Sequence, residues 1–299
     1  MKILSSFLNK FAAFSLFLLP EYVMAQENSE PSEAAVPEKE YVRATFENGV
    51  VINNQTVETP GQKSLDFIIQ HRFGRVKDEK DLFGLFAPAN IRFGLGYGIT
   101  DRLVVAVGVT KVRMTYDFEA KYVLLKQTKG KGMPVSLAYF ANVSKSSTAN
   151  DNFLNSDGEY KPAYKYTYFH ELMLAKKVNS KLSLQLAGTH SHYNIIDSAF
   201  QQHDFFGVSF VGRYKFSPQS SIVIDADYLL NTPDMDKELK PKPNLSLGYE
   251  VSTGSHQFQV FVCTADGILE HDNLVFNRND FTKREVVIGF NITRVWGFK

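Results

Sequence analysis

The chain has one cysteine, Cys263, one tryptophan and no excess of either charge. A single thiol cannot make an intrachain disulfide or a cysteine zinc cluster. With 33 Lys+Arg against 32 Asp+Glu, it lacks the basic bias of a nucleic-acid-binding domain and the high net charge of a disordered chain. Beyond the N-terminus no apolar run reaches the roughly 18 residues of a membrane-crossing helix, and the mean hydropathy is −0.20. There is also no phosphate loop, no G-x-S-x-G elbow and no metalloprotease helix motif. Aromatic residues are plentiful instead: 25 Phe and 14 Tyr in 299 residues.

The N-terminus reads as a secretory signal peptide over residues 1–25. Lys2 and Lys10 give a basic lead and Phe11–Leu19 an apolar stretch too short to span a bilayer, with cleavage expected between Ala25 and Gln26. No cysteine follows that stretch, so a lipoprotein anchor is not expected. Without residues 1–25 the acids and bases balance at 31 each. Residues 26–62 form a lead-in, Glu- and Pro-rich as far as Val42. From Arg43 to Gln62 it turns semi-apolar, with Phe46, Val50, Val51, Ile52 and Val57, as a short strand, a plug or a linker would be.

From Lys63 onward the period is two. Leu65, Phe67, Ile69 and Phe73 oppose Asp66, Gln70 and Arg72, and Ile91, Phe93, Leu95 and Tyr97 oppose Arg92 and three glycines. The same alternation recurs through ITRVW, which closes the chain, giving about 12 strands and no convincing helix. Only Tyr164–Lys177 is ambiguous, because His170 and Glu171 argue for opposite faces. Long and short connections alternate, with Lys111–Met114 as the exception, as in an up-and-down transmembrane β-barrel with long outer loops and short periplasmic turns. A secreted β-sandwich would also alternate, but many runs here reach ten residues, and tyrosines cluster at run ends as interfacial girdles do. The expected architecture is an all-β, antiparallel up-and-down barrel spanning residues 63–299.

SLDFIIQHRFG, FAPANIRFGLGYGITDRLVVAVGVTK and GFNITRVW resemble the Gram-negative family of membrane bound beta barrel domains of unknown function. The similarity covers roughly residues 43–299, and His71–Gly74 and Gly94–Arg102 are its most specific pieces. The resemblance implies a barrel in the outer membrane of a Gram-negative bacterium. It supplies no catalytic or ligand residues.

The charged residues opposite the apolar face should line a lumen: Asp66, Arg72, Arg92, Asp117, Glu119, Lys121, Arg213, Lys215, Asp225, Asp227 and Glu250. Their mixed signs point to cross-strand ion pairs in a filled core or to a narrow polar channel, not to a ring of one sign. His190 and His192 flank Ser191 and so share a face that the serine does not, unlike the His/Ser spacing of outer-membrane phospholipases. Two histidines alone are a weak metal signal, and the loop Asp272–Asp280 has too few carboxylates for calcium. Lys77–Phe86 reads as an amphipathic turn at the mouth or a solvated loop. No enzyme activity, metal or cofactor is expected. The partners expected are outer-membrane lipid and a small-molecule cargo, with no nucleic acid. The leading expectation is a narrow pore or transporter for small solutes, with residues 43–62 as plug or gate. A closed barrel that binds a partner through its loops is the alternative, and a lipid-active enzyme is less favoured.

Overall fold

A computed structural model describes residues 40–76 and 82–298, which fall in the compact unit Lys39–Lys299. The expected signal peptide, its Ala25–Gln26 junction and most of the Glu-rich lead-in lie outside the described residues, as do residues 77–81 of the Lys77–Phe86 segment. Two two-residue strands, β1 (Val50–Val51) and β2 (Asn54–Gln55), pair as a small hairpin. Twelve longer strands follow: β3 (Ser64–Arg75), β4 (Asn90–Gly98), β5 (Leu103–Thr110), β6 (Thr115–Leu125), β7 (Ser136–Ser146), β8 (Tyr166–Lys177), β9 (Leu182–Tyr193), β10 (Asp204–Lys215), β11 (Ser220–Leu229), β12 (Asn244–Thr253), β13 (His256–Cys263) and β14 (Val287–Gly297). Each pairs antiparallel with its sequence neighbours, and β14 pairs with β3, closing the barrel. Closure leaves no strand edge unpaired, which a sheet in lipid requires.

The period-two pattern becomes two chemically distinct walls. Leu186, Val260 and Leu247 point outward and are 57–60% exposed, whereas their strand neighbours Gln185, Gln259 and Ser246 point inward and are buried. Among the described residues no helix is long and apolar enough to cross a membrane; the membrane-facing surface belongs to the strands. Short turns and the ten-residue β6–β7 connection gather at one rim, and the connections at the other are of ten residues or more, except for the tight β5–β6 turn. Both ends of the barrel chain lie at the turn rim, where Ser64 pairs with Gly297. Twelve strands about 4.8 Å apart and tilted by about 40° give a backbone radius of about 12 Å. Inward side chains then leave a lumen about as wide as one folded hairpin.

Two features depart from the sequence expectation. The loop between β13 and β14 contains a helix, α1 (Glu270–Phe276), where none was expected. Seven residues carry too little helical periodicity to be read alone, and this helix depends on burial of Leu274 and Val275. The ambiguous segment resolves as β8, with Glu171 inward and His170 outward. It defied the alternation because the inner wall here is itself apolar: Phe140, Phe169 and Met173 are buried inside the barrel.

Candidate functional site

The lumen is occupied from both rims. Residues 45–58 enter from the turn rim, where Val42 donates its N–H to the Gln127 carbonyl, and they leave near Asp101, whose carbonyl accepts from Thr59 Oγ1. Between these points Phe46, Val51, Ile52 and Val57 are buried in one apolar cluster with Phe140, Phe169 and Met173 of the wall. This contact explains the semi-apolar character of the segment.

The wall holds the hairpin chiefly by its main chain. Ile52 lies at the tip with φ +49°, a costly conformation for a β-branched residue. Its N–H donates to Gln259 Oε1 (3.1 Å), and its carbonyl accepts from Arg72 Nη2 (3.0 Å) and Asn291 Nδ2 (2.8 Å). The Asn53 N–H donates to Asp225 Oδ2 (2.9 Å), and Arg72 also reaches Asn53 Oδ1 (2.9 Å) while lying over the Phe261 ring. Deeper in the hairpin, Gln185 exchanges hydrogen bonds with the Val57 N–H and the Gln55 carbonyl. Lys121 donates to the Gly49 carbonyl and to Gln55 Oε1. Gly248 makes room for the tip, since a Cβ there would come within 3.2 Å of Ile52 Cδ1.

The charged wall residues sort into groups. Arg92 binds Asp117 through Nε (3.1 Å) and Nη2 (2.5 Å) and reaches Glu119 (2.7 Å). Gly108 is required beside it, because a Cβ there would collide with the Arg92–Asp117 pair. Near the turn rim Arg213 joins Glu250 (2.8 Å) to Glu47 of the inserted segment (2.5 Å), and Lys215 also donates to Glu47 (3.1 Å). Burial would raise the Glu47 carboxyl, but these two cations outweigh it and hold it below the usual range. Asp66, Asp225 and Asp227 make no ion pair among the described residues; Asn244 donates to both Asp225 and Asp227. All eleven predicted lumen residues are thus on the inner wall. The sequence does not point to Glu47, on the inserted segment, to Lys177 or Glu171, hidden by the ambiguity of β8, or to Glu270, which arrives on a loop.

From the loop rim α1 enters as a lid. Leu274 and Val275 are buried, and the ring of Phe276 meets those of Tyr193 and Phe200 edge to face at 5.5 and 5.6 Å. Glu270 accepts from Gln55 Nε2 (3.0 Å), the hydrogen bond that joins lid and hairpin among the described residues. Burial, reinforced by the Glu119 charge, pushes the Glu270 carboxyl up to about 8, and burial lowers His271. A vestibule of about 640 Å³ opens at the loop rim beside the lid, and a void of about 50 Å³ remains between the hairpin and the β3–β6 wall.

Outside the barrel, His190 Nε2 and His192 Nδ1 both lie against Asp204 Oδ1, at 2.9 and 2.8 Å. Ser191 points into the lumen and is buried, so serine and histidines do not converge. His71 is likewise outward, stacked on Phe290, while its neighbour Arg72 points in.

The family described as "Membrane bound beta barrel domain (DUF5777)" matches residues 46–296. The chain belongs to this family. Its closed barrel and exposed apolar band place it in the outer membrane of a Gram-negative bacterium. No curated protein is similar to it in sequence. Among solved structures it is similar to the KdgM porin (12% identity, 79% of this chain, 99% of that one, TM-score 0.46). It is also similar to the NanC porin (10%, 79%, 99%, 0.49) and to an outer membrane channel from Pseudomonas putida F1 (13%, 82%, 100%, 0.49). At these identities and scores nothing about their cargo transfers to this barrel.

Proposed function

We propose that the protein is a gated outer-membrane channel for small polar solutes, shut at rest by the hairpin segment of residues 43–62 from the periplasmic side and by the α1 lid from outside. One observation carries this reading. A purely structural core pairs its buried charges, because an unpaired one is costly, yet Glu171 is 1% exposed with neither carboxylate oxygen partnered, and Asp227 Oδ1 is also unpartnered. Such groups suit a wall that meets a solute. The hairpin adds no strand to the barrel, so it can leave without breaking the ladder, and the family match begins at residue 46, inside it.

The test is conductance in planar bilayers. The full-length chain is compared with one in which residues 45–58 are replaced by an equally long glycine–serine segment. Current that rises sharply in the replaced chain supports the gate, whereas two folded but silent barrels refute the channel.

A closed interaction barrel is the second reading, favoured by the apolar inner patch of Phe140, Phe169 and Met173, which the hairpin keeps from water. Partner capture that is lost on deleting residues 146–162, without any change in permeability, would mark it.

A further inference from the structure

We propose that the extracellular half of the lumen is a cation filter centred on Glu171 and Asp227, which admits small ammonium-bearing solutes and rejects anions. This rests on the channel reading above. Counted along the sequence the lumen charges look balanced, but their pairing is not. Arg92 is committed to Asp117 and Glu119, and Arg213 and Lys215 lie at the turn rim with Glu250 and Glu47. Arg72 is taken up by hairpin and wall carbonyl oxygens. The acids left over are Asp66, near the turn rim, and Asp225, Asp227 and Glu171, which sit at mid-lumen or above it.

Glu171 is the centre of the argument. Its carboxylate lies within electrostatic reach of Glu270, Asp227 and Lys121, yet it has no hydrogen-bond partner. Thr189 stands directly across from it on β9, and the inward hydroxyls of Thr189 and Ser191 are also buried and unpartnered. Two unused carboxylate oxygens beside two unused hydroxyls make an acceptor-rich wall; Lys121 is the cation in reach, and its ammonium is bonded to Gly49 and Gln55 instead.

A bare metal ion is not the ligand indicated, because no three His, Cys, Asp or Glu side chains among the described residues converge on one point. An ammonium needs fewer and looser acceptors. Lys121 supplies the precedent a short distance away: its ammonium donates to a carbonyl and an amide oxygen while sitting in the field of Glu119, Asp66 and Glu171. Acidic walls select cations in pores by the same electrostatics.

The experiment measures reversal potential under a KCl gradient for the full-length chain and for the glycine–serine hairpin variant, then replaces KCl with methylammonium chloride. Folding of every variant is established by heat-modifiable migration, and D227N stands in should E171Q not fold. The expected result is a cation-side reversal potential, methylammonium current, and a loss of about half the cation preference or more in E171Q or D227N. A channel that conducts without cation preference, or whose preference neither variant changes, overturns the filter and leaves the channel reading standing. Potassium current with methylammonium excluded overturns the ammonium assignment. Silence in both chains overturns the channel reading, and the filter with it.

Discussion

The hairpin and the lid fill the same lumen by different physics. The hairpin is gripped at main-chain atoms by Gln185, Gln259, Asn291, Asp225 and Arg72, so nearly every polar group at its tip has a partner. The lid is held by aromatic edges and by Leu274, while His271 Nδ1 and both side-chain amide atoms of Asn273 are buried without partners. Unpartnered buried groups weaken docking, because water would satisfy them when the lid lifts. The hairpin is therefore the firm closure and the lid the labile one.

The largest expected effect breaks the firm side. Arg72→Ala removes two donors from the tip and a cation from the Phe261 face, and it leaves the Ile52 carbonyl with Asn291 alone. The hairpin should be destabilised by about 3 kcal/mol. Hydrogen exchange over residues 45–58 should rise by two orders of magnitude while the strand amides stay protected. Next comes the lid: Leu274→Ala empties a buried site and should weaken docking by about 2 kcal/mol, read as faster proteolysis within residues 264–286 and an unchanged hairpin. Equal loosening of both segments by either substitution would show that they are one unit.

A third prediction uses pH. Glu270 binds its proton up to about 8 when docked, under the influence of burial, Glu119, Arg92 and Gln55, and near 4.5 when solvated. The docked lid thus holds more protons than the lifted one across that window, so docking weakens as pH rises through it. His271 has the opposite sense: Asp272, Arg113 and Asp117 face it, but burial dominates and lowers it, so docking also weakens as acid charges it. Above pH 6.5 only the Glu270 effect remains. Lid protection should fall from pH 6.5 to 8, and E270Q should abolish that fall while preserving the acid-side loss.

The barrel was legible because the membrane imposes period two on every strand, and Leu186 beside Gln185 states the rule in two residues. The eleven lumen charges followed from the same alternation. Glu171 did not, because Phe169 and Met173 on its own face are apolar, and they are buried in the same apolar cluster as Phe46 and Val57 of the inserted segment. No period within β8 encodes a partner more than a hundred residues away. Glu270 was hidden for a related reason: seven residues of helix have no signature apart from the wall that buries them. The lumen charges look balanced in the sequence, since pairing, not composition, decides which acids stay free.

The smallest effect tests whether the two closures communicate. Gln55 Nε2 donates to Glu270, Gln55 Oε1 accepts from Lys121, and the Gln55 carbonyl accepts from Gln185. Gln55→Ala keeps the main-chain contact and removes the side-chain pair. The loss for the lid should be about 1 kcal/mol, or about five-fold in protection over residues 264–286. If lid and hairpin meet through this contact, replacing residues 45–58 by glycine and serine should loosen the lid by the same factor, and Q55A should add nothing in that background. A lid indifferent to both changes would make the two closures independent. The channel would then be opened from each side by its own signal.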